Sequence, residues 1–285
     1  MRRLTAVCLV LALSACDDGA PSDAGTRTDA GRRDGGAITP DGGRTDAAGA
    51  RDGGRVTPTD AGPLEPGCAG RDYLFCEDFE AANVGEVPPG WTMENGWMPG
   101  SPMVTDTEHH SGSRAFASAL AQTGQPRIRH SLDALGAARG THWGRVYYKV
   151  LTPFFVGGYV HSTLVGLQGS TECRVVDTVL GPDGSHQFLF NIPDDSCCVG
   201  SSYDYHSYDD TWHCAEWFID ASTESYRFYF DGDEVTDLAV DGRSDAFIEQ
   251  FTAISLGWRN YQSADPPYRS FLDDLAIDDE RIGCD

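Results

Sequence analysis

The sequence predicts an all-β protein, and three observations carry that expectation. First, residues 211–284 are a succession of short runs rich in aromatic and β-branched residues, separated by Gly, Asp and Pro. Runs of that kind are strands joined by tight turns. Second, Asp231-Gly232 stands between two such runs. A type I′ hairpin turn requires φ > 0 at both central residues, which Asp-Gly tolerates. Third, no segment carries an apolar stripe of helical period. The back half therefore reads as an antiparallel β-sandwich.

Taken in order, the chain opens Met1-Arg2-Arg3 and continues with an apolar run to Leu13. A span needs about 20 apolar residues, so this run is a signal peptide rather than a membrane helix. It ends Leu13-Ser14-Ala15-Cys16, which resembles the lipobox of bacterial lipoproteins. The resemblance implies residues 1–16 as signal peptide, lipidation at Cys16 and attachment to a membrane. The expected location is the cell envelope, lipid-anchored at the outer membrane or cell surface. Residues 17–66 are built from Asp, Ala, Gly, Arg, Thr and Pro, with loose repeats such as Arg33-Asp34-Gly35-Gly36 and Arg51-Asp52-Gly53-Gly54. Too few apolar side chains are present to offset the entropy of ordering this backbone, so a disordered tether is expected. Residues 67–285 then form one all-β domain, a length that such domains reach.

Within that domain, Tyr73–Glu80 reads as a strand and Val87–Gly90 as a turn. Thr105–Arg114 is polar, and Phe116 begins another short strand. In Arg127–Leu132 charged and apolar residues alternate, which places Arg127 and Arg129 on one face. Trp143–Leu151 and Tyr159–Leu167 are strands. Arg174–Leu180 and His186–Ile192 form a hairpin around Gly181–Gly184. Pro193–Asp210 is a long loop crowded with Asp, Ser, Tyr and Cys, and long loops in compact domains are disproportionately functional. Thr211–Asp220, Tyr226–Val235, Ala253–Trp258 and Phe271–Ile277 complete the set.

The formal net charge of −23 argues against nucleic acid or an anionic lipid face as partner. It suits Ca²⁺ or a neutral polysaccharide. No cofactor is required by any motif. Asp273 and Asp274 are the candidate calcium ligands, because that ion takes several carboxylate oxygens. Nine cysteines are present. Cys8 lies in the signal, leaving Cys68, Cys76, Cys173, Cys197, Cys198, Cys214 and Cys284 beside Cys16. Export favours disulfides. Cys68 with Cys76, or one of them with Cys284, would staple the domain ends, and Cys173 with Cys197 or Cys198 would staple a loop. The odd count leaves one thiol over.

The runs Trp212-x-Cys214-x-Glu216 and Phe228-x-Phe230-Asp231-Gly232 resemble the concanavalin-A-like lectin/glucanase superfamily, laminin-G-like modules included. So do Leu256-Gly257-Trp258-x-x-Tyr261-Gln262, Leu272-Asp273-Asp274-Leu275-Ala276-Ile277 and the opening Phe75-Cys76-Glu77-Asp78-Phe79-Glu80. The resemblance covers roughly residues 70–285. It implies a jelly-roll β-sandwich of two curved antiparallel sheets, the last strand near the first, with a glycan groove on a concave face. Some members are polysaccharide lyases acting on alginate or glucuronan, and a fungal cellulose-induced group is close to them.

Three chemistries are compatible with the fold. A retaining glycosidase needs two carboxyls about 5–5.5 Å apart. The Glu-x-Asp-x-x-Glu of laminarinase-like members is missing, and Glu216 and Asp220 lie four residues apart. A lyase acting on a uronate polymer needs a group to neutralise the carboxylate, a base and an acid. Arg129, His161, Gln168 and Tyr261 supply those types, with Arg127 beside Arg129. His161 and Gln168, seven residues apart, fall on opposite faces of a regular strand. A glycan-binding face needs aromatic stacking partners with a few polar groups, for which Trp258, Tyr261, Tyr203, Tyr205, Tyr208 and Trp143 are the candidates. Trp212 and Trp217 are expected in the core. The leading expectation is a monomeric cell-envelope lipoprotein that binds a polysaccharide. The alternatives are a polysaccharide lyase and a structural or adhesive module that binds protein.

Overall fold

The computed structural model describes residues 67–69, 71–94, 103–120, 126–151, 158–192, 198–242, 250–262 and 268–284. The expected signal peptide, Cys16, the tether and Cys197 lie outside the described residues, as does the side chain of Cys198.

Fifteen strands are described: β1 Phe75–Glu77, β2 Thr92–Met93, β3 Met103–Thr105, β4 Ala115–Leu120, β5 Arg127–Ser131, β6 Thr141–Val150, β7 Val160–Gln168, β8 Glu172–Leu180, β9 His186–Asn191, β10 Cys198–Gly200, β11 Trp212–Asp220, β12 Ser225–Phe230, β13 Asp233–Glu234, β14 Ala253–Asn260 and β15 Tyr268–Asp278. They form a β-sandwich. Sheet 1 runs β13-β12-β11-β6-β15-β4-β3, with β1 also on β15. Sheet 2 runs β10-β9-β8-β7-β14-β5-β2. Every pairing is antiparallel. The first strand pairs with the last, Cys76 opposite Ala276. Short strand β10 arises within the segment that read as a long loop, and β3 ends on the first residue of the polar segment.

Alternation along each strand sends one set of side chains into the space between the sheets. There Phe190 of sheet 2 stacks on Tyr226 of sheet 1 at 3.8 Å, and Phe188 meets Phe228 at 4.7 Å. Trp217 is fully buried. Its ring lies over Gly144, its register partner, where any Cβ would overlap the indole. The hairpin between β12 and β13 has Asp231 at φ 48 and Gly232 at φ 89, as the Asp-Gly pair predicts. Asp231 also accepts a bond from the Cys214 N–H at 2.8 Å.

Two disulfides are described, Cys68–Cys76 and Cys214–Cys284. The second corrects one of the two options for the chain ends: Cys284 takes Cys214, not a cysteine of the opening segment. The reason is local. Glu216, two residues along β11, holds the same C-terminal segment by accepting bonds from Gly283 N (2.7 Å) and Arg281 Nε (3.0 Å). Cys173 is buried in the core. Trp212 is only half-buried, with its ring edge-to-face with His110 at 5.7 Å, rather than in the core.

Candidate functional site

The outward face of sheet 2 collects most of the residue types that the sequence singled out. Along β14, Ser255, Arg259 and, just beyond it, Tyr261 alternate outward, while Ile254, Leu256 and Trp258 fill the core. On β7 the outward residues are His161 and Thr163, then Gly166 and Gln168. The phase changes because the register with β8 shifts between Thr163 and Gly166. β8 shifts in step, so Glu172 and Arg174, then Asp177 and Val179, face the same way. A β-bulge inserts one unpaired residue and moves the later side chains to the other face. This corrects the expectation for a regular strand: His161 and Gln168 share a face.

Asp177 is the hub at one end of that face and is fully buried. Its Oδ2 lies 2.7 Å from His161 Nε2, and its Oδ1 accepts the Thr163 hydroxyl at 2.6 Å. Thr163 Oγ1 is 3.1 Å from the Tyr261 hydroxyl. Since Thr163 donates to Asp177, the Tyr261 O–H donates to Thr163. A carboxylate on one imidazole nitrogen fixes the proton there and leaves the other nitrogen as the acceptor. His161 Nδ1 has no hydrogen-bond partner among the described residues. The Tyr261 ring stacks on His161 at 4.3 Å, and the guanidiniums of Arg174 and Arg259 each lie 4.5 Å from the Tyr261 ring centre. Burial, reinforced by the negative charge of Asp177, pushes the phenol up to about 12. At neutral pH it is a proton donor.

The middle of the face is organised by one carboxylate. Glu172 meets Arg127 at 2.5 Å, Arg259 at 2.8 Å and Arg174 at 3.6 Å, and accepts from Gln168 Nε2 at 3.2 Å. Gly166 lies beneath it, and a Cβ there would collide with the Glu172 carboxylate. Arg127 is itself buried and also pairs with Glu94 at 3.0 Å. Burial alone pushes the Glu172 carboxyl up, but Arg127, then Arg259 and Arg174, hold it below the usual range. Four guanidiniums, on Arg127, Arg129, Arg174 and Arg259, stand against three carboxylates, on Glu94, Glu172 and Asp177. Asp177 is buried and the side chains of Glu172 and Glu94 are 9 % and 17 % exposed, whereas Arg129 is exposed and Arg259 is 29 % exposed. The charge this face offers to solvent is therefore positive, on a chain of net charge −23.

The four lyase candidates are brought together only in part. His161 and Tyr261 touch. Gln168 shares their face and reaches Ser255 at 3.1 Å. Arg129 pairs with Ser255 across β5 and β14, six residues from Tyr261, which is roughly 20 Å along a strand. The guanidiniums beside His161 and Tyr261 are instead Arg174 and Arg259. The alternations Glu172-x-Arg174 and Arg259-x-Tyr261 could have flagged them in the sequence. Nothing in the local pattern marked Asp177, because the bulge reverses its face.

The aromatic candidates separate more sharply. Trp258 is fully buried, its indole N–H bonded to Asn260 Oδ1 at 2.8 Å, so it is core and not a stacking platform. Tyr208 is buried against Trp258 at 5.8 Å, with its hydroxyl 2.6 Å from Thr178 Oγ1. Tyr205 packs inward on Phe188 and Phe230. Alternation along β14 puts Trp258 inside, and the loop that carries Tyr205 and Tyr208 closes the sandwich edge rather than standing off it. Tyr203 is exposed. Trp143 lies on the outward face of the other sheet, with Phe218 at 5.0 Å and Tyr229 at 5.7 Å, so it shares no surface with Tyr261.

Asp273 and Asp274 are also on sheet 1, at a bulge in β15 where Asp274 has φ 49. Asp273 accepts the N–H groups of His110 and Ser111, and Asp274 accepts the Ser111 hydroxyl at 2.7 Å and lies 2.7 Å from His110 Nδ1. Burial, with Asp274 beside it, raises the Asp273 carboxyl to about 8. Two adjacent buried carboxyls, with the Ser111 hydroxyl on Asp274, are oxygen donors of the kind a hard cation takes. No cluster of three or more His, Cys, Asp or Glu side chains able to hold a metal occurs among the described residues.

No family model and no curated protein matches the chain. Among solved structures, the cellulose-induced protein Cip1 aligns at 14% identity and a TM-score of 0.51, over 73% of this chain and 99% of that one. The binding domain of botulinum neurotoxin serotype G aligns at 10% identity and a TM-score of 0.48, over 75% of this chain and 49% of that one. The chain thus spans about half of the toxin binding domain. The likeness to Cip1 extends over nearly the whole of that protein and, at such low identity, speaks for the fold alone.

Proposed function

We propose that this chain recognises an acidic polysaccharide on the outward face of sheet 2. One observation carries the reading: Arg259, Arg174, His161 and Tyr261 meet on one sheet face whose acids are largely covered. A carboxylate-bearing sugar would place its charge at Arg259, with a guanidinium fork matching a carboxylate. The full chain, titrated with alginate and glucuronan, is expected to bind one of them, more weakly as salt rises. Binding that is unchanged in Arg259→Ala would overturn this assignment.

The Asp177–His161 pair favours a second reading, in which the bound uronate is cleaved by β-elimination. His161 Nδ1 takes the C5 proton, the electron pair forms the C4=C5 double bond, and the C4–O4 bond breaks. The Tyr261 hydroxyl turns from Thr163 to protonate the departing oxygen, and water then carries the proton from His161 back to Tyr261. A Tyr261→Phe chain that still binds but yields no unsaturated, ultraviolet-absorbing product supports this step. A wild-type chain that binds without producing that chromophore leaves recognition alone.

Two further parts of the reading rest on sequence and donor chemistry. Cys16 would carry lipid and anchor the domain to the cell envelope, and Cys16→Ser is expected to release the protein from membranes. Calcium would be held by Asp274 and Asp273 with the Ser111 hydroxyl, displacing the proton that burial keeps on Asp273, and would brace the fold on the sheet opposite His161.

A further inference from the structure

We propose that Tyr159, Tyr203 and Gln187 form a second sugar subsite, holding a further ring of the polymer by its apolar C–H face beside the His161 end of the face. The inference rests on the acidic-polysaccharide reading and extends the bound chain across the sheet rather than along it.

Four large hydrophobic side chains are exposed among the described residues: Leu74, Val84, Tyr159 at 59 % and Tyr203 at 38 %. Exposed apolar residues scattered singly are ordinary. The two tyrosines are not scattered, because their rings meet at 5.8 Å in an edge-to-face pair. Tyr203 is also anchored, its hydroxyl accepting a bond from Gln187 Nε2 at 3.0 Å. The position is tied to the site by register. Tyr159 stands two residues before His161 and so points to the same side of the chain. Val179 pairs with His161 on one flank and with Gln187 on the other. Gln187 therefore lies two strands from His161, roughly 10 Å at the usual strand spacing, a distance comparable with the length of a disaccharide. An acidic polymer centred on Arg259 and His161 that continued in this direction would reach the tyrosines.

The chemistry of the two ends differs. Around Tyr261 the aromatic ring is covered by His161 and two guanidiniums, so it offers hydrogen bonds and charge, not a stacking face. At Tyr159 and Tyr203 no cation covers the rings among the described residues. Open aromatic faces take the apolar C–H face of a sugar, and a neighbouring amide such as Gln187 fixes its orientation.

The test is equilibrium titration of the full chain with a disaccharide and a hexasaccharide of the polymer that it binds, alginate or glucuronan. Tyr159→Ala/Tyr203→Ala is expected to weaken the hexasaccharide by about tenfold and leave the disaccharide unchanged. Both side chains are exposed, so the melting temperature should hold. Tyr203→Phe keeps the ring, loses only the tie to Gln187, and should stay within about twofold. A hexasaccharide affinity that is unchanged in the double variant overturns the subsite while the polysaccharide reading stands. A wild-type chain that binds neither oligosaccharide overturns both.

Discussion

Replacing Glu172 by Gln removes the one carboxylate shared by Arg127, Arg174 and Arg259. The arginines do not lose equally. Arg259 is partly exposed and can turn to water. Arg127 keeps Glu94 at 3.0 Å. Arg174 is 8 % exposed and has no other acid within salt-bridge reach among the described residues. Removing one partner of a buried pair costs about 3–5 kcal/mol, because a charge is left buried and uncompensated. With Glu94 retained, the lower end applies, about 3 kcal/mol. For a domain of this size, that is a fall in melting temperature of roughly 6–12 °C. Circular dichroism melts of the two purified chains measure it. Glu172→Gln/Arg174→Met should recover part of the loss, since the stranded charge is then gone. The pH dependence has a definite sign. The folded carboxyl sits below its unfolded value, so its stabilisation is present above the unfolded value and lost as pH falls through the folded one. The gap between wild type and variant should be full at neutral pH and shrink in acid. A variant that melts within about 1 °C of wild type at neutral pH would show that the arginines do not depend on Glu172, and the account of this face would be wrong.

Gly144→Ala places a methyl group inside the Trp217 ring and should cost about 1–3 kcal/mol by overpacking; an unshifted urea midpoint would contradict the packing described. His213 lies 2.8 Å from Asp231 and 3.1 Å from Asp209; burial lowers its pKa, but the two carboxylates raise it above the ordinary value. That stabilisation is complete below the unfolded pKa and disappears as pH rises through the folded one, so His213→Ala should lower the melting temperature in mild acid and scarcely at alkaline pH. Opening Cys214–Cys284, which closes a separation of 70 residues, should cost about 4 kcal/mol on chain-entropy grounds, read from melts of the Cys214→Ser/Cys284→Ser chain. If calcium sits at Asp273 and Asp274, it should raise the melting temperature relative to chelator, and Asp274→Asn should abolish that rise; equal melts in both conditions would remove the ion from the account.

Patterning was sufficient for the strands because it is local. Val146, Tyr148 and Val150 share one face in the sequence as they do in β6, and Asp231-Gly232 carries its own turn. The paired faces of Arg127 and Arg129 followed from the same period. Register and sheet membership are not local. Trp258 and Tyr261 are three residues apart and looked like one platform, but an odd spacing on a strand sends one inward and the other out. Tyr208 and Tyr205 looked like a surface loop until the loop closed over the core.

What the sequence by itself determined is the class of fold, the turn at Asp231-Gly232, the Cys68–Cys76 option, and the residue types His161, Gln168 and Tyr261 as a set worth bringing together. Tertiary structure alone decided that they share a face. It did so through bulges that shift β7 and β8 by one residue each, an event with no period to read. It also supplied Asp177, Arg174 and Arg259, whose roles come from strands lying side by side, and whose side chains matter through distances that only packing sets.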